Sequence, residues 1–221
     1  MNHLTSPILA LDTGVGASAA LLMPDGQHIS ASMINARAHS RELLPLLANL
    51  LDRKSLAWAD IGGFAVGTGP GSFTGLRVAC ATMAGINASL KQPIYQLNSL
   101  VMTAIQADVQ TPVWSLEDAR SGLVYTAEVT GFEVATTSKC LSWDELLAYP
   151  PADFASSSEV PVDLPGWSQI ELKQCREQSL IAYALFAVLQ QPTSLLPTDA
   201  CLEPLYLQPS QAEKTYAENH S

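Results

Sequence analysis

The sequence predicts an α/β protein built from two related halves, the second reduced relative to the first. Three observations carry this. The first half reads β-β-β-α-β-α-β-α, an antiparallel hairpin set feeding parallel crossovers. A second strand–turn–strand unit opens at Val113. Composition also shifts between them. Ten of the thirteen glycines precede residue 98. Residues 1–97 carry six Lys/Arg against five acids, whereas residues 98–221 carry five against sixteen. A boundary therefore falls between residues 97 and 110; we take an N-terminal domain of 1–100 and a C-terminal domain of 101–221.

Each element has a local reason. Ile8-Leu-Ala-Leu-Asp-Thr13 is an apolar run ending at an acid and a glycine, a buried strand entering a turn. Ala17–Met23 is a second strand, and Pro24-Asp-Gly-Gln27 is turn chemistry. His28–Asn35 alternates and completes the meander. Leu43, Leu46, Leu47, Leu50 and Leu51 recur at helical spacing, so Ser40–Arg53 is a helix with Pro45 in its first turns. Ile61–Gly67 is a strand, Thr68–Gly75 a glycine-rich loop, and Leu76–Leu90 a helix rich in small residues. Pro93–Leu97 and Ser99–Val109 add a strand and a helix.

In the second half, Val113–Glu117 and Leu123–Thr130 are strands joined by the turn Asp118-Ala-Arg-Ser-Gly122. Phe132–Thr136 and Asp153–Ser158 read as short strands. Ser142-Trp-Asp-Glu145 is a capping-box start for a helix to Tyr149. Loops fill 159–174, and Arg176–Gln190 is an apolar helix.

Composition excludes several classes. With 48% apolar residues and a mean hydropathy of +0.15, the 221-residue chain can build a core and is not a disordered protein. No apolar run approaches the ~20 residues of a membrane span. The start, Met1–Leu11, lacks the basic segment of a secretory signal. Cys80, Cys140, Cys175 and Cys201 form no Cys-x-x-Cys pair and are expected as reduced thiols. The net charge of −10, concentrated in the second half, disfavours direct binding of a phosphate backbone.

The most specific segment is Gly67-Thr-Gly-Pro-Gly-Ser-Phe-Thr-Gly-Leu-Arg77, between a strand and a helix N-terminus. It has neither the lysine of a Walker A loop, nor dinucleotide-fingerprint spacing, nor a Gly-x-Ser-x-Gly elbow. Two readings stand: a phosphate cradle at the helix N-terminus, or a strand–helix joint whose glycines permit close packing. Asp12-Thr13-Gly14 ends the first strand, and Asp118 ends the first strand of the second half. Paired acids so placed can hold Mg²⁺ beside a phosphate. His3, His28, His39 and His220 offer no pair at helical spacing, so no His-based metal site is expected. His39 caps a helix or faces a partner. No nucleophile–base constellation is readable.

Several of these segments resemble one family. Ile8–Thr13, His39-Ser-Arg-Glu-Leu-Leu-Pro45, Gly69-Pro-Gly-Ser-Phe-Thr-Gly-Leu-Arg77, Asp118-Ala-Arg120 with Val124-Tyr125, and Glu203-Pro-Leu-Tyr-Leu207 occur in the order seen in bacterial TsaB (YeaZ) proteins. The resemblance implies the actin/Hsp70-like ATPase (ASKHA) fold, two ribonuclease-H-like halves. It implies a scaffold role in forming N6-threonylcarbamoyladenosine at position 37 of tRNAs that read ANN codons. In that family TsaB is the non-catalytic paralogue of TsaD, which holds a metal through His-x-x-x-His. Here Pro93–Thr103 contains no histidine, and Ser99 and Thr103 stand where the ligands would be. The adjacent Gly-Gly pair that receives adenosine in the second half of the fold is also missing. The resemblance therefore implies a degenerate nucleotide or phosphate site at Asp12, Thr13, Gly14, Asp118 and Arg120, with no catalytic residue and no metal. It implies no intrinsic cofactor, ATP and Mg²⁺ entering only through complex partners. Expected partners are TsaD and TsaE, a second copy when alone, and tRNA only through the complex, in the cytoplasm with no membrane. The alternatives are an actin-fold small-molecule kinase and a metallopeptidase of the glycoprotease type.

The helices Ser40–Arg53 and Phe73–Leu90 carry more apolar and small residues than one sheet face consumes. Family members use them for the homodimer and for TsaD. His39, Leu43, Leu46, Leu47, Leu50, Gly75, Arg77, Ala79 and Met83 are the expected partner interface.

Overall fold

The structure, a computed structural model, describes residues 4–14, 16–33, 39–190, 195–196 and 202–208. β1 (Ile8–Asp12), β2 (Ala17–Leu22) and β3 (His28–Met33) form the expected antiparallel meander; Asn35, the expected end of β3, lies outside the described residues. β4 (Gly63–Gly69) and β5 (Ile94–Asn98) run parallel to β1 on its other side. With β12 (Leu195–Leu196) paired to β5, the first sheet has the order β12-β5-β4-β1-β2-β3. β1, β2 and β4 are buried along their whole length, because helices cover both faces of this sheet.

On its outer face lie α1 (His39–Asp52) and α2 (Phe73–Leu90). Leu43, Leu47, Leu50 and Leu51 of α1, with Ala79, Cys80 and Met83 of α2, meet Leu9, Leu11, Leu21, Phe64 and Val66. Pro45 sits in the second turn of α1. The expected loop Thr68–Gly75 shrinks to Pro70–Ser72: β4 continues to Gly69, and the helix opens at Phe73. The Ser72 hydroxyl accepts from the Gly75 N–H as N-cap, which lets the helix begin that early.

The second sheet contains β6 (Val113–Arg120), β7 (Leu123–Thr130), β8 (Glu133–Val134), β9 (Lys139–Ser142), β10 (Asp153–Ala155) and β11 (Ser168–Gln169). β7 pairs antiparallel with β6 and β9, β10 runs parallel to β6, and β11 parallel to β10. The order β11-β10-β6-β7-β9 thus repeats β5-β4-β1-β2-β3, and the two halves are duplicates. β6 is longer than expected, so the hairpin turn tightens to Ser121-Gly122, with φ of 54° and 76°. The expected strand Phe132–Thr136 is only the two residues of β8, and β9 has no counterpart among the expected strands.

The reduction of the second half is also concrete. α4 (Trp143–Leu147), started by the Ser142/Glu145 capping box, takes the place of α1. The connection from β10 to β11 contains no helix, so the counterpart of α2 is missing. Aromatic rings cover that face instead. Trp114 lies edge-on to Tyr149 and Trp167 at centroid distances of 5.1 and 5.6 Å, and Phe154 joins them.

α3 (Ser99–Gln106) and α5 (Arg176–Gln190) lie between the sheets and change sides. α3 packs mainly on β6 and β7 of the second sheet while still touching β4 and β5, and α5 packs mainly on β1, β2 and β5 of the first. A single inner core results, joining Ala10, Ala20 and Leu97 to Val113, Tyr125 and Leu180. Residue 100, the expected domain boundary, lies within α3.

Candidate functional site

Both sheets send the end of their first strand toward the junction between the halves. β1 brings Asp12, fully buried, and β6 brings Glu117, 2% exposed. Asp118, the residue expected opposite Asp12, lies outside this junction in the structure. Successive strand residues face opposite sides, so if Glu117 points into the junction, Asp118 points out. The Asp118 carboxylate pairs with Arg120 at 3.5 Å, and the Arg120 side chain is 89% exposed. Neither joins the group around Asp12.

That group is built from β1, α3, β6, α5 and the loop at Ser157. Asp12 Oδ1 accepts from Gly14 N–H at 3.2 Å and Ser99 Oγ–H at 3.1 Å. Its Oδ2 accepts from Arg176 Nε–H at 3.0 Å and lies 2.9 Å from Arg176 Nη2. Arg176 Nη1 donates to Thr103 Oγ at 2.7 Å, and Nη2 donates to the Ser99 carbonyl at 3.1 Å. The Thr103 hydroxyl in turn donates to Glu117 Oε1 at 2.5 Å. The same Glu117 oxygen accepts from Ser157 N–H at 3.2 Å and from the Ser157 hydroxyl. Thr13 Oγ1 and Glu117 Oε2 are buried without a hydrogen-bond partner among the described residues.

Of the two readings of the glycine-rich segment, this geometry supports close packing. A Cβ on Gly67 would lie 2.1 Å from Asp12 Oδ1. One on Gly71 would lie 2.6 Å from the Gly14 backbone, and one on Gly75 2.6 Å from the Thr13 carbonyl. Ser72 N–H donates to the Gly14 carbonyl at 3.1 Å. The glycines let the start of α2 rest directly on the end of β1.

The segment Leu202–Gln208 straps the two halves together. Leu205 N–H donates to the Thr68 carbonyl at 2.7 Å on the β4 side. Arg77 donates to the Tyr206 hydroxyl at 2.9 Å and lies over the Phe73 ring, 4.0 Å from its centroid. On the other side Gln208 Nε2 donates to the Ala119 carbonyl and the Tyr125 hydroxyl, at 3.0 and 2.5 Å. Burial pushes the Tyr125 phenol above its usual range, and the Gln208 bond pulls it part of the way back.

Most of the expected partner interface is spent on the chain's own core. Leu43, Leu47, Leu50, Ala79 and Met83 are at most 1% exposed, and Gly75 is packed on Thr13. Leu46 is half-buried, and Arg77 is exposed but engaged by Tyr206. The His39 side chain lies outside the described residues. The leucine stripe of α1 faces the sheet, so what α1 and α2 turn outward is different. Leu44 is 51% exposed beside Pro45, and α2 presents Thr74, Arg77, Ala81, Ala84, Gly85 and Ala88.

Arg176, Glu117 and Ser157 belong to the group without being among the residues the sequence singles out. One signal pointed to Arg176: a cation in the first turn of an apolar helix opposes the helix dipole, and that placement needs a reason. Among the described residues no three His, Cys, Asp or Glu cluster as metal ligands, and no helix is long and apolar enough to cross a membrane.

Three comparisons bear on kinship. A family model described as TsaD, tRNA N6-adenosine threonylcarbamoyltransferase, matches residues 31–158. The tRNA threonylcarbamoyladenosine biosynthesis protein TsaB of Escherichia coli is 33% identical over 124 residues, covering 55% of this chain and 54% of that protein. TsaB of Haemophilus influenzae is 30% identical over 152 residues, covering 67% and 64%. The match thus spans between half and two thirds of the length of these curated relatives. YeaZ from Pseudomonas aeruginosa superposes with a TM-score of 0.72 at 26% identity, over 92% of this chain and all of that one.

Proposed function

The chain belongs to the TsaB (YeaZ) family, and from that membership we propose that it serves tRNA threonylcarbamoyladenosine biosynthesis as a non-catalytic scaffold. In this reading it binds and organises TsaD, together with TsaE, for modification at position 37 of tRNAs that read ANN codons. The observation that carries the non-catalytic role is the hydrogen bonding of Ser99 and Thr103. Both side chains are fully buried and bonded to Asp12, Glu117 and Arg176, which supports a structural use in place of the metal ligands the family's catalytic paralogue carries there. ATP and Mg²⁺ then belong to the partners, and tRNA is met only in the complex, in the cytoplasm.

The outward face of α1 and α2 is the docking surface in this proposal. Ala81, Ala84, Gly85 and Ala88 leave it flat, so a partner helix can approach closely, with Leu44 at its side. A homodimer over the same face covers it when TsaD is absent.

Size-exclusion chromatography of the purified chain with TsaD tests the reading. Co-elution is expected, and Ala84→Glu should abolish it without changing the melting temperature, because a carboxylate there stays solvated until a partner buries it. A gel shift at ~150 mM salt should show little tRNA binding by the chain alone. Substantial ATP turnover by the chain alone, lost in Asp12→Asn, would reverse the assignment and favour the kinase alternative.

A further inference from the structure

The ATPases of this fold hold a metal–nucleotide between the two halves, and the residues of this chain do not fit one. The position between Asp12 and Thr103 is filled by the protein's own cation. Arg176 presents Nε–H and Nη2–H to Asp12 Oδ2, Nη1–H to Thr103 Oγ, and Nη2–H to the Ser99 carbonyl, at 2.7 to 3.1 Å. Its side chain is 10% exposed and that of Asp12 is fully buried. Carboxylate, hydroxyl and carbonyl oxygens form the set a hard divalent ion would choose. Here a guanidinium has taken all three.

The surroundings fix Asp12 and Ser99 in place. Gly67 and Gly14 press on Asp12 and Ser99 so closely that a methyl on either would overlap them, at 2.1 and 2.6 Å. The guanidinium is also placed at a local cost, in the first turn of α5 where the helix dipole opposes it. The buried carboxylates offset that cost. Asp12 contacts it directly, and Glu117 is reached through the Thr103 hydroxyl.

We propose that Arg176 is a built-in cation that fastens the two halves in the position where the fold's ATPases keep a metal–nucleotide, so that this cleft is held shut by an internal ion pair and takes no divalent ion. The fastener joins β1 of the first sheet, α3, β6 of the second sheet, the Ser157 loop and α5. It is independent of which partner the outer helices bind.

Melting of the full chain tests it, with Arg176→Met, Asp12→Asn and the double variant, and with MnCl₂ and ethylguanidinium chloride as probes. Arg176→Met strands a buried carboxylate and should melt roughly 10 °C below the parent. The double variant should melt above Arg176→Met, because the stranded charge is gone. If Arg176→Met does not fold, recovery of a folded double variant is the same result. Arg176→Ala should gain melting temperature in ethylguanidinium while the parent does not. MnCl₂ should leave the parent unchanged. A double variant that melts no higher than Arg176→Met would overturn the fastener, as would a parent that is stabilised by MnCl₂ through Asp12. Failure of TsaD binding would leave these melting results untouched, so the two proposals fail separately.

Discussion

Gly67→Ala adds one methyl group in the middle of β4. Its backbone lies outside the left-handed region, so an alanine is conformationally allowed and the penalty is steric. The new Cβ would lie 2.1 Å from Asp12 Oδ1, 2.9 Å from its Cγ and 3.0 Å from its Cβ. Asp12 cannot step aside freely, because Oδ1 is bonded to Gly14 and Ser99 and Oδ2 to Arg176. Overpacking costs about 1–3 kcal/mol. Displacing one charge-assisted bond adds about 1.5–3 kcal/mol. Restricting the unfolded chain returns about 0.4–1 kcal/mol. The net loss is about 3 kcal/mol, which for a chain of this size lowers the melting temperature by roughly 6–12 °C. Gly85→Ala is the control: nothing lies within 4 Å of its added Cβ on the open face of α2. It should gain about 0.5–1 kcal/mol from helix propensity. Circular-dichroism melting and urea titration read both. A Gly67→Ala chain that melts within ~1 °C of the parent would refute the rigidity assigned to Asp12.

Ala79→Glu should fail to fold or precipitate, since Ala79 is fully buried on the sheet-facing side of α2 and an unpaired carboxylate there costs several kcal/mol; soluble expression checks this against Ala84→Glu, which should fold. Ser142→Ala should cost about 1 kcal/mol in urea unfolding by removing the cap of α4. The Ser142 N–H and hydroxyl hold the Glu145 carboxyl below its usual range, so its contribution is complete above the ordinary glutamate pKa and fades as pH falls through the depressed value. The melting difference between parent and Glu145→Gln should therefore narrow in acid. Burial raises Tyr183, Tyr95 and Tyr125, so in ultraviolet titration they should ionise after exposed tyrosines, and their stabilisation should be lost as pH rises through the raised values. Gln208→Leu should move Tyr125 higher still.

The meander, the crossovers and the full extent of α5 were legible because each is a local pattern: alternation, apolar runs and helical spacing. β9 was not, since Lys139–Ser142 is a half-buried edge with no apolar run to mark it. The leucine stripe of α1 was legible as a stripe but not as to what it covers. A sheet face and a partner helix demand the same spacing, and here the sheet takes it. Asp118 missed the junction by one residue, which in a strand is the whole difference between in and out. Asp12 and Arg176 are separated by 164 positions, and no local pattern ties one to the other.

The exchange of α3 and α5 also sets a timetable for synthesis. Domains usually fold as units in the order in which they leave the ribosome. Here the inner face of the first sheet, complete in strands by Asn98 apart from β12, waits for Arg176–Gln190 to cover it. α3 meanwhile touches β4 and β5 of the first sheet but lacks its larger contacts until β6 and β7 emerge. Leu202, which enters the outer core beside Leu9 and Phe64, arrives later still. The nascent first half therefore carries an open apolar face from the completion of β5 until α5 is made, and chaperone demand should be highest in that interval.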